Sequence, residues 1–284
     1  MTLALPPRPE PAQLAELCRE IGGREAVQPD LVEKDVYLTR LLWALGQRFG
    51  DQLLLKGGTL LSKVDLGFFR MSEDADLVLS EKASHNKGSN MRRINQVRDA
   101  LGEIEPISGA KRRFPGGDDS ERGSHRRWDL DYPSEFGPQS IQLEVSLRPA
   151  LRPTRRVSLG QLLQDPLLGD YRGAFCWALD PDEARAEKVR AAFTRDAIRD
   201  FYDLERFAEV GADLTSARFV DLVNAKLREL DAAPIHQQPR PLGVTAARRR
   251  ALEQGLKMEL PAVLRASAPP FDLARMLQRF ERMW

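Results

Sequence analysis

Residues 6–11, PPRPEP, read as an extended lead, because proline fixes its own backbone and withholds an amide donor. Folding is expected to begin after them. PAQLAELCREI and PDLVEKDVYLTRLLWALGQRF then bring apolar residues round at helical spacing, with Leu31, Val32, Val36, Leu38, Leu41, Leu42 and Leu45 recurring on one face. Two helices separated by a break at Gly22-Gly23 follow from this pattern. Residues 52–56, QLLLK, form the short apolar run of a buried strand, Gly57-Gly58 a turn, and TLLSKVDL a helix start. Residues 75–80, ADLVLS, alternate as a strand does.

Further on, residues 82–99 read as a loop carrying His85 and Asn86 and then a helix, NMRRINQVRDAL. RWDLDY (127–132) and SIQLEVSL (140–147) alternate and are joined by a loop with Pro133, Gly137 and Pro138, which predicts an antiparallel pair. The Pro-broken basic stretch 148–156, RPALRPTRR, reads as a connector. It divides the chain into a core lobe with N-terminal helices, 1–156, and a mainly helical lobe, 157–284. FCWAL offers a last strand, and DPDEARAEKVRAAFTRDAIRDFYDLERFAEV a helix with Asp180 as N-cap and Pro181 in the first turn. Helices broken by AAPIHQQPRPLG complete the pattern, which contains no internal repeat.

Composition narrows the class. The 284 residues are 42% hydrophobic and 30% charged, which describes a soluble globular protein with a sizeable core. No apolar run approaches the roughly 20 residues of a bilayer span, and MTLALPPRPE lacks a basic segment followed by an apolar one. A cytoplasmic protein without membrane partners is expected. Cys18 and Cys176 are far apart and read as packed thiols rather than a disulfide framework or zinc site. The net charge of +1 argues against a uniformly basic coat, yet the cations are clustered. Lys111, Arg112 and Arg113 stand with Arg122, Arg126 and Arg127; Arg148, Arg152, Arg155 and Arg156 form a second island; Arg248, Arg249 and Arg250 a third. Charge runs usually make solvated faces, but three together point to a polyanionic partner.

Four features can carry chemistry. Lys56-Gly57-Gly58-Thr59 lies between a strand and a helix, where glycines admit a ligand to the backbone and a helix N-terminus favours an anion; the same turn also serves as a plain tight connection. It is not a Walker A motif. Asp74 and Asp76, in SEDADLVLS, fall on one strand face roughly 6.6 Å apart at the backbone and can converge on Mg²⁺, or can be a solvated strand entry. Glu144 lies opposite the buried face of Ile141, Leu143 and Val145, placed to be a further metal ligand or a base. Asp129-x-Asp131 competes as a carboxylate pair but has no glycine turn before it. In an unbroken helix Lys188, Arg195, Arg199 and Asp203 would share one face, offering cations to phosphates or forming an ordinary Arg199–Asp203 pair; Phe201 and Tyr202 read as packing residues. His85, His125 and His236 stand singly and give a histidine triad little support.

KGGTLLSKVDLGFFRMSEDADLVLS, then IQLEVSL, then AEKVRAAFTRDAIRDFYDL, preceded by VEKDVYLTRLLWAL, resembles in ordered blocks the AbiEii/AbiGii-type, MenT-like nucleotidyltransferase toxins of the polymerase-β-like superfamily. The resemblance runs from about residue 30 to about 210. It implies an α+β bilobal nucleotidyltransferase fold, a mixed sheet core flanked by helices with a mainly helical C-terminal lobe. It further implies that Gly57, Gly58 and Thr59 hold the triphosphate, that Asp74 and Asp76 bind Mg²⁺ with Mn²⁺ as an alternative, and that Arg70 and Ser72 assist nucleotide placement. Lys188 and Asp203 match later family motifs, with Lys188 on phosphate. Glu144 departs from the aspartate frequent at the third carboxylate, and Thr59 from the frequent serine.

The implied activity is Mg²⁺-dependent transfer of a nucleoside monophosphate from an NTP to RNA, in particular the 3′ end of tRNA, which would stop translation. Arg112, Arg113, Arg152, Arg155 and Arg156 are the candidate RNA contacts. An antitoxin from an adjacent gene, in a toxin–antitoxin or phage-defence system, is the implied partner. Two other readings stand beside it: a nucleotide- or RNA-binding module without turnover, and a transferase acting on protein hydroxyls.

Overall fold

Both N-terminal helices of the computed structural model, α1 (Pro11–Glu25) and α2 (Pro29–Phe49), start on proline, whose missing amide has no intrahelical partner to lose there. The structure describes residues 7, 9–82, 85–113, 123–164, 173–238 and 242–284; Arg122 and parts of the proline-rich lead and of the 232–243 connector lie outside them. Gly22-Gly23 does not end α1: the helix continues to Glu25 and closes at Ala26, with φ of 52°. Gly22 is needed for clearance, since a Cβ on it would stand 2.7 Å from the Val27 carbonyl oxygen where the chain turns back.

Helix α2 is buried almost all round, and several of its polar residues are tied to neighbours. The Arg40 guanidinium donates to the Ile107 carbonyl at 2.7 and 3.0 Å. Asp35 accepts from the ammonium of Lys63 at 2.5 Å and from the Leu162 amide at 3.0 Å. Lys63 also donates to Thr39 Oγ1 at 2.7 Å and the Gly160 carbonyl at 3.2 Å. Burial alone lowers the Lys63 pKa, and the Asp35 charge opposes this. The pair therefore anchors the segment after the glycine turn to the core helix. Burial likewise pushes both thiols up, Cys176 to about 12, so neither is a reactive group.

The strands are β1 (Leu53–Leu55), β2 (Ala75–Leu79), β3 (Lys111–Arg112), β4 (His125–Tyr132), β5 (Gln139–Leu147), β6 (Arg155–Ser158) and β7 (Phe175–Ala178). They form one mixed sheet in the order β3-β4-β5-β2-β1-β7-β6. β1 runs parallel to β7 and β2 parallel to β5; the other pairs, including the expected β4–β5, are antiparallel. After β1 come α3 (Gly57–Leu60), prolonged by a π-helical turn over Leu61–Asp65, and after β2 comes α4 (Lys87–Ser108).

The chain divides into two units, Met1–Leu179 with Arg265–Ser267, and Asp180–Leu264 with Ala268–Trp284. The basic connector expected to end the first lobe at 156 instead runs into edge strand β6, whose single buried residue, Val157, leaves no alternation to read. The returning segment is bonded within the first unit: Ala266 N–H donates to the Glu25 carbonyl at 2.8 Å, and Arg265 to Glu25 Oε2 at 2.5 Å and the Phe68 carbonyl at 3.3 Å.

The second unit is built from α5 (Pro181–Thr194), α6 (Ile198–Glu209), α7 (Ala217–Arg228), α8 (Ala246–Met258), α9 (Leu260–Val263) and α10 (Leu273–Glu281). Asp180 caps α5 by accepting from the amides of Asp182 and Glu183 at 2.9 and 3.3 Å. Phe201 and Tyr202 are fully buried. Lys226 of α7 is 1% exposed and pairs with Glu183 at 2.7 Å and with Glu187 and Glu229 at 3.3 Å, clasping α5 to α7. Among the described residues no helix is long and apolar enough to cross a membrane.

Candidate active site

Antiparallel pairing of β1 with β2 sets the glycine turn against the start of β2, where the Lys56 amide donates to the Asp76 carbonyl at 3.0 Å. Gly57 has φ of +70°, and a Cβ on it would lie 2.2 Å from Asp76 Oδ2. Backbone conformation and space both demand glycine. A Cβ on Gly58 would meet Arg70 Nη2 at 2.7 Å and Ser72 Oγ at 3.1 Å. Close approach by these groups, rather than a generic turn, explains the dipeptide.

Parallel pairing of β2 with β5 makes Asp76 and Glu144 direct register partners. Ala75, Leu77, Leu143 and Val145 are buried in the core, so alternation leaves Asp76 and Glu144 half-buried on the other face. The Lys56 ammonium lies 3.8 Å from Asp76 Oδ1 and 3.8 Å from Glu144 Oε1. His125 Nδ1 is 3.5 Å from the same Glu144 oxygen, and Arg127 is the register partner of Glu144 on β4. The structure thus brings Lys56, Asp76 and Glu144 together and adds His125, which stood alone in the sequence.

Among the described residues no three His, Cys, Asp or Glu side chains form a ready-made metal centre. The donor set nevertheless fits Mg²⁺. This ion takes hard oxygen ligands, one or two carboxylates commonly sufficing alongside water and substrate phosphate. Asp76 and Glu144 already draw one cation, the Lys56 ammonium, between them.

Thr59 is 1% exposed, and its hydroxyl donates to the Asp74 carbonyl at 2.5 Å while lying 2.9 Å from Ser72 Oγ. It pins the Ser72–Asp74 approach to β2 onto α3. Arg70 is 2% exposed, packs behind Gly58 and donates to the Met71 carbonyl at 2.9 Å. Both residues shape the turn from beneath.

In the second unit, the helix expected to run unbroken through Lys188 and Asp203 breaks after Thr194, and α6 starts at Ile198. The break does not scatter the charged residues. Lys188 Nζ reaches Asp200 Oδ1 at 2.8 Å and Asp203 Oδ2 at 2.9 Å, and Arg195 grips both Asp200 oxygens at 2.5 and 2.8 Å. Asp200, overlooked in the sequence, is the hub. Burial would raise its pKa, but Lys188 and Arg195 hold the carboxyl well below the usual range. The side chain of Arg195 is 58% exposed against 1% for Asp200, so this cation has a solvent-facing side; Arg199 is half-buried on α6.

The candidate RNA contacts have varied surroundings. Arg113 forms a two-pronged pair with Asp131, answering the second carboxylate pair seen in the sequence. Arg155 bonds Asp65 at 2.6 Å and the Leu179 carbonyl at 2.9 Å, and Arg156 stacks 3.3 Å from the centre of the Phe175 ring. Arg152 is half-buried. Arg112 lines a groove of about 250 Å³ with Arg98 and Lys111.

The mixed sheet, in which β1 beside the central strand β2 leads through the glycine turn into α3, shares its fold with a solved nucleotidyltransferase toxin. MenT4, a nucleotidyltransferase toxin from Mycobacterium tuberculosis H37Rv, matches with a TM-score of 0.51 at 23% identity, covering 97% of this chain and 96% of that one. JHP933 from Helicobacter pylori matches with a TM-score of 0.47 at 17% identity, over 83% and 93% of the two chains. No curated protein matches. The model of the AbiEii nucleotidyl transferase toxins of type IV toxin–antitoxin systems matches residues 40–282, and the chain belongs to that family.

Proposed function

We propose that this toxin transfers a nucleoside monophosphate from an NTP to a hydroxyl at the 3′ end of a tRNA in the cytoplasm, releasing pyrophosphate and stopping translation. The observation that carries the reading is the register pairing of Asp76 with Glu144 beside the Gly57 turn. Asp74, Asp76 and Glu144 would hold Mg²⁺, or Mn²⁺ in its place. When bound, such an ion stabilises charge on phosphoryl oxygens and favours ionisation of the attacking hydroxyl.

The chain's own residues do the rest. Gly57 and Gly58 let the triphosphate approach the backbone, with Lys56 as the adjacent counter-charge. Thr59, Ser72 and Arg70 hold that turn in shape. In the second unit, Lys188, Arg195 and Arg199 are the candidate cations for phosphate, with Asp200 and Asp203 fixing the Lys188 ammonium. Arg112, Arg113, Arg152, Arg155 and Arg156 favour a polyanionic acceptor over a small one. An antitoxin encoded beside the toxin gene is the expected partner, and phage defence a setting for the pair.

The test incubates the protein with each NTP radiolabelled at the α-phosphate, Mg²⁺ and total tRNA, alongside EDTA and the Asp74→Ala/Asp76→Ala variant. Label entering nuclease-sensitive product only with metal and both aspartates supports the proposal. Label in protease-sensitive product moves the acceptor to protein, and NTP binding without transfer leaves a binding module.

A further inference from the structure

The third basic island of the sequence has no part in the reaction above, yet Arg248, its first residue, is bonded throughout. Its side chain is 15% exposed, whereas Arg249 and Arg250 are open to solvent. Nε donates to Asp196 Oδ1 at 2.5 Å. Nη1 donates to the carbonyls of Leu242 and Gly243 at 3.0 Å and of Phe193 at 3.5 Å. Nη2 donates to the carbonyls of Ala192 at 3.0 Å and Arg195 at 2.6 Å. The Thr245 hydroxyl caps α8 by accepting from the Arg248 amide at 3.3 Å, which fixes where the guanidinium leaves the helix.

The last carbonyls of a helix have no partners within it, and a cation there is further favoured by the helix dipole. Arg248 answers both needs at the end of α5, and it reaches one residue further, to the carbonyl of Arg195 itself. Arg195 leaves the helix in an extended conformation with φ of −147°, and its guanidinium turns back to grip Asp200. The corner between α5 and α6 is therefore held from outside by Arg248 and from inside by Asp200.

We infer that Arg248 is a positioning residue for nucleotide binding: it locks the α5–α6 corner so that the Arg195 guanidinium, braced on Asp200, is presented to a phosphate of the NTP. The inference rests on the reading that Arg195 meets the triphosphate. No lysine can replace Arg248 here, because one ammonium cannot span acceptors on both sides of the corner as a planar fork does.

The experiment is a double-mutant cycle on NTP affinity, read by calorimetry for each of the four NTPs with Mg²⁺. The variants are Arg248→Ala, Arg195→Ala and the double variant, with Arg248→Lys as a second probe of the clamp and circular dichroism to verify folding. The expected result is a loss on the order of tenfold for Arg248→Ala and Arg248→Lys, and at least as much for Arg195→Ala. The double variant should be no worse than Arg195→Ala, and guanidinium ion below denaturing concentration should restore binding to Arg248→Ala. Additive losses in the double variant, or wild-type affinity in both Arg248 variants while Arg195→Ala is weakened, would overturn the clamp and leave the phosphate reading standing. Wild-type affinity in Arg195→Ala would remove the phosphate reading, and the clamp's role in binding with it.

Discussion

Glu33 on α2 is 0% exposed, and burial pushes its carboxyl up to about 7; the charges of Asp30 and Glu135 add to the effect and the Ser134 hydroxyl opposes it. In the unfolded chain the same group titrates near its ordinary 4.5. Between these values the folded state holds a proton that the unfolded state has lost, so stability falls as pH rises through the window and is level above about 7. At about 1.4 kcal/mol per pH unit, the window amounts to a penalty on the order of 3 kcal/mol at pH 8. Glu33→Gln keeps the shape and removes the titration. The variant should match wild type near pH 4.5 and exceed it by about 3 kcal/mol at pH 8. Urea unfolding followed by tryptophan fluorescence reads this in the right place, because Trp43, Trp128 and Trp177 all belong to the first unit. A stability difference that is the same at both pH values, or a variant weaker than wild type at pH 8, would refute the reasoning.

Gly57→Ala should lose transfer by at least about 100-fold, since the added Cβ would displace Asp76 from the turn; transfer near the wild-type rate would show the carboxylate to be dispensable. Lys226→Met leaves Glu183 and Glu187 buried without their cation and should destabilise the second unit by about 3–5 kcal/mol at neutral pH, as a urea titration will read; an unchanged midpoint would count against the clasp. Asp200 is held well below its usual pKa, so its contribution to stability is present at neutral pH and is lost as pH falls through the acid range; Asp200→Asn should flatten that acid limb in thermal unfolding, and an unchanged limb would count against the pairing.

What could be read in the sequence was what is local and periodic. Leu53–Leu55, Ala75–Leu79 and the β4–β5 pair announce themselves by apolar runs and alternation, and alternation alone put Glu144 on the face opposite Leu143 and Val145. Edge strands β3 and β6 were hidden, since two residues in one and a single buried valine in the other carry no period. The site was legible as separate motifs, but not as contacts. His125 and Glu144 meet only because two strands pair, and Asp200 meets Lys188 only because the helix breaks at Thr194. A further signal lay in the Asp-Phe-Tyr-Asp spacing, which puts Asp200 and Asp203 three apart on one helical face. The Lys63–Asp35 pair could not be foreseen at all, because nothing in either segment marks its charge as buried.

The return of Arg265–Ser267 to the first unit has a consequence for synthesis. Glu25 and the Phe68 carbonyl are made early, but their partner Arg265 leaves the ribosome only after all of Asp180–Leu264 has been translated. The sheet-bearing unit is therefore stitched shut late, by a residue carried on the far side of an inserted helical segment. A protein truncated between Leu179 and Arg265 has a complete glycine turn and all its β-strand carboxylates, yet lacks the tie that joins the end of α1 to the Phe68 loop.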